Sequence, residues 1–161
     1  MALDYTLSIA TELDPLQALN IAFTGSNLEW ASSSDARLFG DGLLMGAYLE
    51  DDDDGRSMIE EAFGFIPTLS VWFRFTYPED YGKSINTIFQ VTMKLLSQEV
   101  SGDAILLSNG EDIILQRLKG QLLLNDESKL VINGKSQPWI RLFLSEITLP
   151  YQLRSLPSPL L

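Results

Sequence analysis

The sequence predicts a mixed α+β domain with a mainly antiparallel sheet and two helices on one face of it. Three observations predict this class. Apolar and polar residues alternate over Pro67–Tyr77, the pattern of a half-buried strand. Apolar residues then recur at helical spacing from Tyr81 to Leu96. Two further apolar runs flank Asn109-Gly110, a pair that tolerates the positive φ angles of a tight hairpin.

Taken in order, Leu3, Tyr5, Leu7 and Ile9 alternate with Asp4, Thr6, Ser8 and Ala10 and make a first strand. Asp14-Pro15 supplies a cap and a proline for the first helical turn, and Leu16, Leu19 and Phe23 form one stripe before Gly25. Asn27 to Asp35 fits neither period, and Ser32–Ser34 reads as loop. Ala36–Phe39 and Leu43–Leu49 flank Gly40-Asp41-Gly42 and read as a hairpin. An acidic loop follows, with a turn or two of helix from Ser57 to Phe63.

In the central strand Leu69, Val71, Phe73, Phe75 and Tyr77 share one face, and Thr68, Ser70, Trp72, Arg74 and Thr76 share the other. Pro78 opens the long helix, with Glu79 and Asp80 at its positive end and Gly102 as its stop. Its buried stripe is Tyr81, Ile85, Ile88, Phe89, Thr92, Leu95 and Leu96. Asp103–Ser108, Asp112–Leu118 and, past Lys119-Gly120, Gln121–Asn125 form a meander. Lys129–Ile132 before Asn133-Gly134 reads as one more edge strand. Trp139, Ile140, Leu142, Phe143 and Leu144 need burial, which the back of the sheet would supply. Pro150, Pro157 and Pro159 leave residues 151–161 as an extended tail on a single domain of residues 1–150. Strand, helix and hairpin followed by strand, helix and strands give a split β-α-β arrangement like the ferredoxin fold.

The 161 residues suffice for one domain that buries roughly 70% of its unfolded surface. No apolar run approaches the ~20 residues needed to cross a membrane, so no membrane association is expected. The opening Met-Ala-Leu-Asp-Tyr-Thr is not a basic segment followed by an apolar one, and cysteine is absent; the cytoplasm is the expected compartment. Absence of cysteine and histidine removes thiol chemistry, the commonest general base and the commonest transition-metal ligand. The net charge of −11 lies wholly in residues 1–61, where thirteen acids face Arg37 and Arg56. Such a surface repels nucleic acid and anionic lipid and attracts a basic protein partner or divalent cations.

Two places carry candidate sites. Glu50 to Glu61 lies near the register of a twelve-residue calcium loop, with Asp52 and Asp54 at its third and fifth positions, Gly55 at the sixth and Glu61 at the twelfth. Glu50 at the first position, Ser57 at the eighth and a strand before the loop depart from that pattern, and a charged solvated loop is the simpler reading. Trp72 and Arg74 form the second candidate, a binding hot spot if their strand face is open and ordinary core if the C-terminal segment covers it. Pairs such as Glu60 with Glu61 or Glu111 with Asp112 sit more simply in loops and turns than in acid–base catalysis. No nucleophile elbow, dinucleotide fingerprint or phosphate loop occurs. The expected role is therefore non-enzymatic, with no cofactor unless the acidic loop takes calcium.

The segments Ile59–Phe75 and Gly102–Glu111, with the opening Met-Ala-Leu-Asp-Tyr and Gln121–Asn125, carry a resemblance. They resemble a family of small bacterial proteins similar to the immunity proteins paired with contact-dependent swarming-inhibition toxins in myxobacteria. The likeness extends to about residue 150 and rests on a strand and a hairpin. It implies a binding protein that neutralises a toxin, and it implies no catalytic residues.

Overall fold

The structure, a computed structural model, describes residues 4–31, 36–76, 81–98, 102–127, 129–132, 135–138 and 140–157, with backbone alone for the two segments between 129 and 138. In chain order the elements are β1 (Asp4–Ile9), α1 (Pro15–Phe23), β2 (Glu29–Trp30), β3 (Arg37–Gly40) and β4 (Leu43–Leu49). Then come α2 (Asp53–Phe63), β5 (Leu69–Phe75), α3 (Tyr81–Leu96), β6 (Ala104–Ser108), β7 (Asp112–Leu118) and β8 (Gln121–Asn125). The chain closes with β9 (Lys129–Ile132), β10 (Lys135–Pro138), a 3₁₀ helix (Ile140–Glu146) and β11 (Gln152–Arg154).

Nine strands form one sheet in the order β11-β8-β7-β6-β1-β5-β4-β3-β2. Strand β1 lies between β5 and β6 and runs antiparallel to both, so those two run parallel to each other with α3 as their connection. β11 joins β8 in parallel, which makes the sheet mixed. The hairpins follow turn chemistry. Asn109 and Gly110 have φ of 52° and 74°, the paired positive values of the tight turn expected there. Asp41-Gly42 and Lys119-Gly120 repeat the device.

The inner face of the sheet forms the main core. Leu7, Val71, Phe73, Met45, Leu106 and Leu115 have no exposed surface, and Ala18 and Leu19 of α1 pack on them with Ile85, Ile88, Phe89 and Leu96 of α3. The start of α1 is as its sequence predicts. The Asp14 carboxylate accepts from the Gln17 amide at 2.8 Å, and the Gln17 side chain accepts from the Asp14 amide at 2.9 Å. The tip of the β3–β4 hairpin is tied down on α3, where Ser84 donates to the Asp41 carbonyl and Thr87 to its carboxylate.

Several expectations change. Two helices, α1 and α3, do cover the inner face, but the described residues contain four helical elements, and α2 lies on the outer face. There Ile59 and Phe65 pack with Ile105, Leu107 and Ile113 in a second, smaller core. The acidic run is helical because Asp52 caps it, Asp53 and Asp54 sit at its positive end, and Gly64 ends it at φ 80°. β9 is not an edge of the main sheet; it pairs with β10 in a ladder of its own. The 140–146 segment packs against α3 rather than behind the sheet, with Ile140 buried and the Phe143 and Phe89 rings 6.0 Å apart, while Leu142 stays exposed. Over residues 152–157 the chain is extended but docked. The Asn125 amide donates to the carbonyls of Ile113 and Leu156 and its carbonyl accepts from the Leu156 amide, pinning the segment to β8. Tyr77, Pro78, Glu79, Asp80 and Trp139 lie outside the described residues.

Candidate functional site

Three adjacent strands bring together four side chains on the outer face. Strand register places Trp72 opposite Thr6 on β1 and opposite Gly46 on β4, and it places Gly46 opposite Arg37 on β3. Arg74 and Tyr48 stand two residues either side along the same face, Tyr48 opposite Ser70. The result is an open pocket of about 340 Å³ lined by Arg37, Tyr48, Trp72 and Arg74.

Gly46 is what lets the tryptophan lie there. A Cβ at that position would stand 2.6 to 2.9 Å from Cζ2, Cε2 and Nε1 of the indole, closer than any side-chain carbon is tolerated. The indole edge fills the space that any other residue would claim. Two guanidinium groups then attend the ring, Arg37 Cζ at 5.5 Å and Arg74 Cζ at 5.9 Å from its centroid, within cation–π range. Arg74 also donates through Nε to Asp4 at 3.2 Å, in a pair whose side chains are 56% and 45% exposed. Such an exposed pair contributes about 0–1 kcal/mol, so it orients Arg74 more than it stabilises the fold. Phe39, on the same face of β3, is 43% exposed and extends the apolar surface.

Beyond Tyr48 the same face runs into the acidic helix. Glu50 accepts from the buried Ser70 hydroxyl at 2.7 Å and lies under the first turn of α2 beside Gly55. Asp52 spends one carboxylate oxygen on the Asp54 amide at 3.3 Å, as the helix cap. Asp54 and Glu61 are seven residues apart on that helix, roughly 10 Å along its axis. The structure therefore does not gather Asp52, Asp54 and Glu61 around one point, and among the described residues no three acidic side chains are grouped to hold a metal ion.

The two candidates thus part company: Trp72 and Arg74 are brought together with partners from neighbouring strands, whereas the acidic residues are strung along a helix. The chain also matches the model of the SitI3-like family over residues 3–133. It belongs to that family. Members of the SitI family are immunity proteins of contact-dependent toxins. No curated protein and no solved structure matches the chain.

A larger groove of about 600 Å³ opens on the opposite side of this SitI3-like chain, between the end of α1, α3 and residues 146–148. Most of its polar side chains are engaged within the protein. Lys94 donates to the Thr24 carbonyl at 2.7 Å, and Gln90 donates to Glu146 at 2.9 Å. Desolvation lowers the Lys94 pKa. In the core between the two regions, burial pushes the Tyr5 phenol far above its ordinary value, so it stays neutral. Strand alternation points to Trp72 and Arg74 as neighbours on one face, but nothing local links Arg37, Gly46 and Tyr48 to them. Those three reach the tryptophan only through strand pairing across sequence separations of two dozen residues and more. The lone glycine inside the apolar run Leu43–Leu49 was the available signal, since a strand glycine often marks a close approach.

Proposed function

We propose that this SitI3-like chain is an immunity protein that neutralises a toxin by binding it, without chemistry of its own. Family membership over residues 3–133 is the observation that carries the proposal. The outer sheet face is the binding surface in this reading, because tryptophan, tyrosine and arginine on rigid strands are the residue types that dominate binding energy. The exposed acids of α2 at its margin, Asp52, Asp53, Asp54, Glu60 and Glu61, would draw in a basic region of the toxin and speed encounter. The scaffold is read as a split β-α-β core of the ferredoxin type, extended by strands at both edges. Its support is that β1 lies between β5 and β6 and that α1 and α3 share one face.

A toxin-like reading frame beside the gene for this chain is the expected context, and co-expression with its product tests the role. Growth should be rescued and the two proteins should co-purify, more tightly at low salt because surface charges are screened over only about 10 Å at 0.1 M. Failure to rescue and failure to co-purify at low salt would remove the proposal. Calcium binding by Asp52, Asp54 and Glu61 is the alternative. It predicts a calorimetric signal that Asp54→Ala abolishes; with the three acids spread along α2, we expect a flat titration.

A further inference from the structure

We infer that the Arg37–Trp72–Arg74 cluster is a seat for a carboxylate, so that the toxin surface docking here presents an aspartate or glutamate beside an apolar side chain. The inference rests on the immunity reading for the identity of the partner, and on the site itself for the chemistry.

The distribution of charge is the first support. Residues 1–76 contain thirteen acids and only three bases, Arg37, Arg56 and Arg74. Two of those three stand over one indole, on strands that sequence separates by more than thirty residues. The cluster thus concentrates two of the three bases of this acidic region at one place on its surface. Guanidinium groups suit a carboxylate because each presents a planar fork of N–H donors that two carboxylate oxygens match. Arg74 already shows the preference within the chain, in its contact with Asp4. That contact uses Nε and is half exposed, and a second carboxylate can join the same guanidinium from the solvent side.

The second support is rigidity. The Trp72 indole lies in the space that Gly46 leaves and under two guanidinium groups, on a strand paired on both sides, so less side-chain freedom is lost when a partner settles on it. Tyr48 and Phe39, both more than two-fifths exposed, give an apolar neighbour of the incoming acid a surface to cover. The outer face is thereby bipolar, with paired arginines at one end and the acidic α2 at the other. A partner that covers both must carry acid and base in matching order, which fixes its orientation as well as its sign.

Two probes test this. The first is the toxin domain against which co-expression of this chain restores growth, titrated against wild type and against the double variants Arg37→Glu/Arg74→Glu and Arg37→Lys/Arg74→Lys, each checked for an unchanged thermal midpoint. Reversal should weaken binding about 30-fold or more, the scale of a binding hot spot, and lysine should recover only part of it. The second probe needs no toxin: blocked tetrapeptides containing Glu-Phe or Lys-Phe, read by the indole N–H resonance of Trp72, which Trp72→Phe assigns. Glu-Phe peptides should move that resonance and Lys-Phe peptides should not. Undiminished toxin binding by the reversed variant, or a resonance that answers Lys-Phe alone or neither peptide, overturns the inference and leaves the immunity role standing. A response to Glu-Phe from a chain that ignores the toxin supports the carboxylate seat and overturns the immunity role instead.

Discussion

Strand β5 carries both of the molecule's characters on alternate residues. Inward, Leu69, Val71 and Phe73 have no exposed surface and meet the helical pair α1 and α3. Outward, Ser70 is buried beneath Glu50, Trp72 is half covered, and Arg74 is open to solvent. The inner face is thus uniform and the outer face graded, closed where α2 lies across it and open toward β3 and β4. A face fully occupied by helices can only contribute stability. A face half covered keeps large side chains exposed on a scaffold too rigid to collapse over them, and that is where binding energy can be held in reserve.

The comparison predicts a hierarchy of effects. Phe73→Ala should be the most damaging, about 3–5 kcal/mol, because it empties a site enclosed by Ile85, Ile88 and Phe89. Chemical denaturation measures it, and the neighbouring Arg74→Ala should move the midpoint by no more than about 0.5 kcal/mol. Equal losses at the two positions would erase the distinction between the faces. Gly46→Ala comes next, at about 1–3 kcal/mol, since its new methyl must push the Trp72 indole aside. Tryptophan emission should shift red with it, which separates displacement of the ring from general loosening. A third substitution has an effect of the opposite sign. Thr92 on α3 is fully buried and its hydroxyl has no hydrogen-bond partner among the described residues. Thr92→Val should therefore stabilise by about 1 kcal/mol, and a loss instead would reveal a partner for that hydroxyl on the inner side.

The sequence by itself determined the elements whose period is carried by consecutive residues. The alternation in β1 and β5, the stripe of α3, the Asp14 cap and the Asn109-Gly110 turn all depend on near neighbours, so their chemistry is readable along the chain. It misjudged the acidic run as a loop because five consecutive acids read as repulsion. Three of them have favourable places, Asp52 as cap and Asp53 and Asp54 sharing the positive end of α2, so that repulsion is offset by the helix dipole and by burial of Ile59. Half of the outer site was legible, since Trp72 and Arg74 lie on the polar side of one strand. The other half was not. Arg37, Gly46 and Tyr48 join it through the β3–β4–β5 register, and which strands pair is decided by the whole sheet closing over a common core. Only the tertiary structure could decide whether the outer face was open, because cover comes from α2 and from Leu156 beyond the last strand, segments whose direction of packing no local pattern encodes.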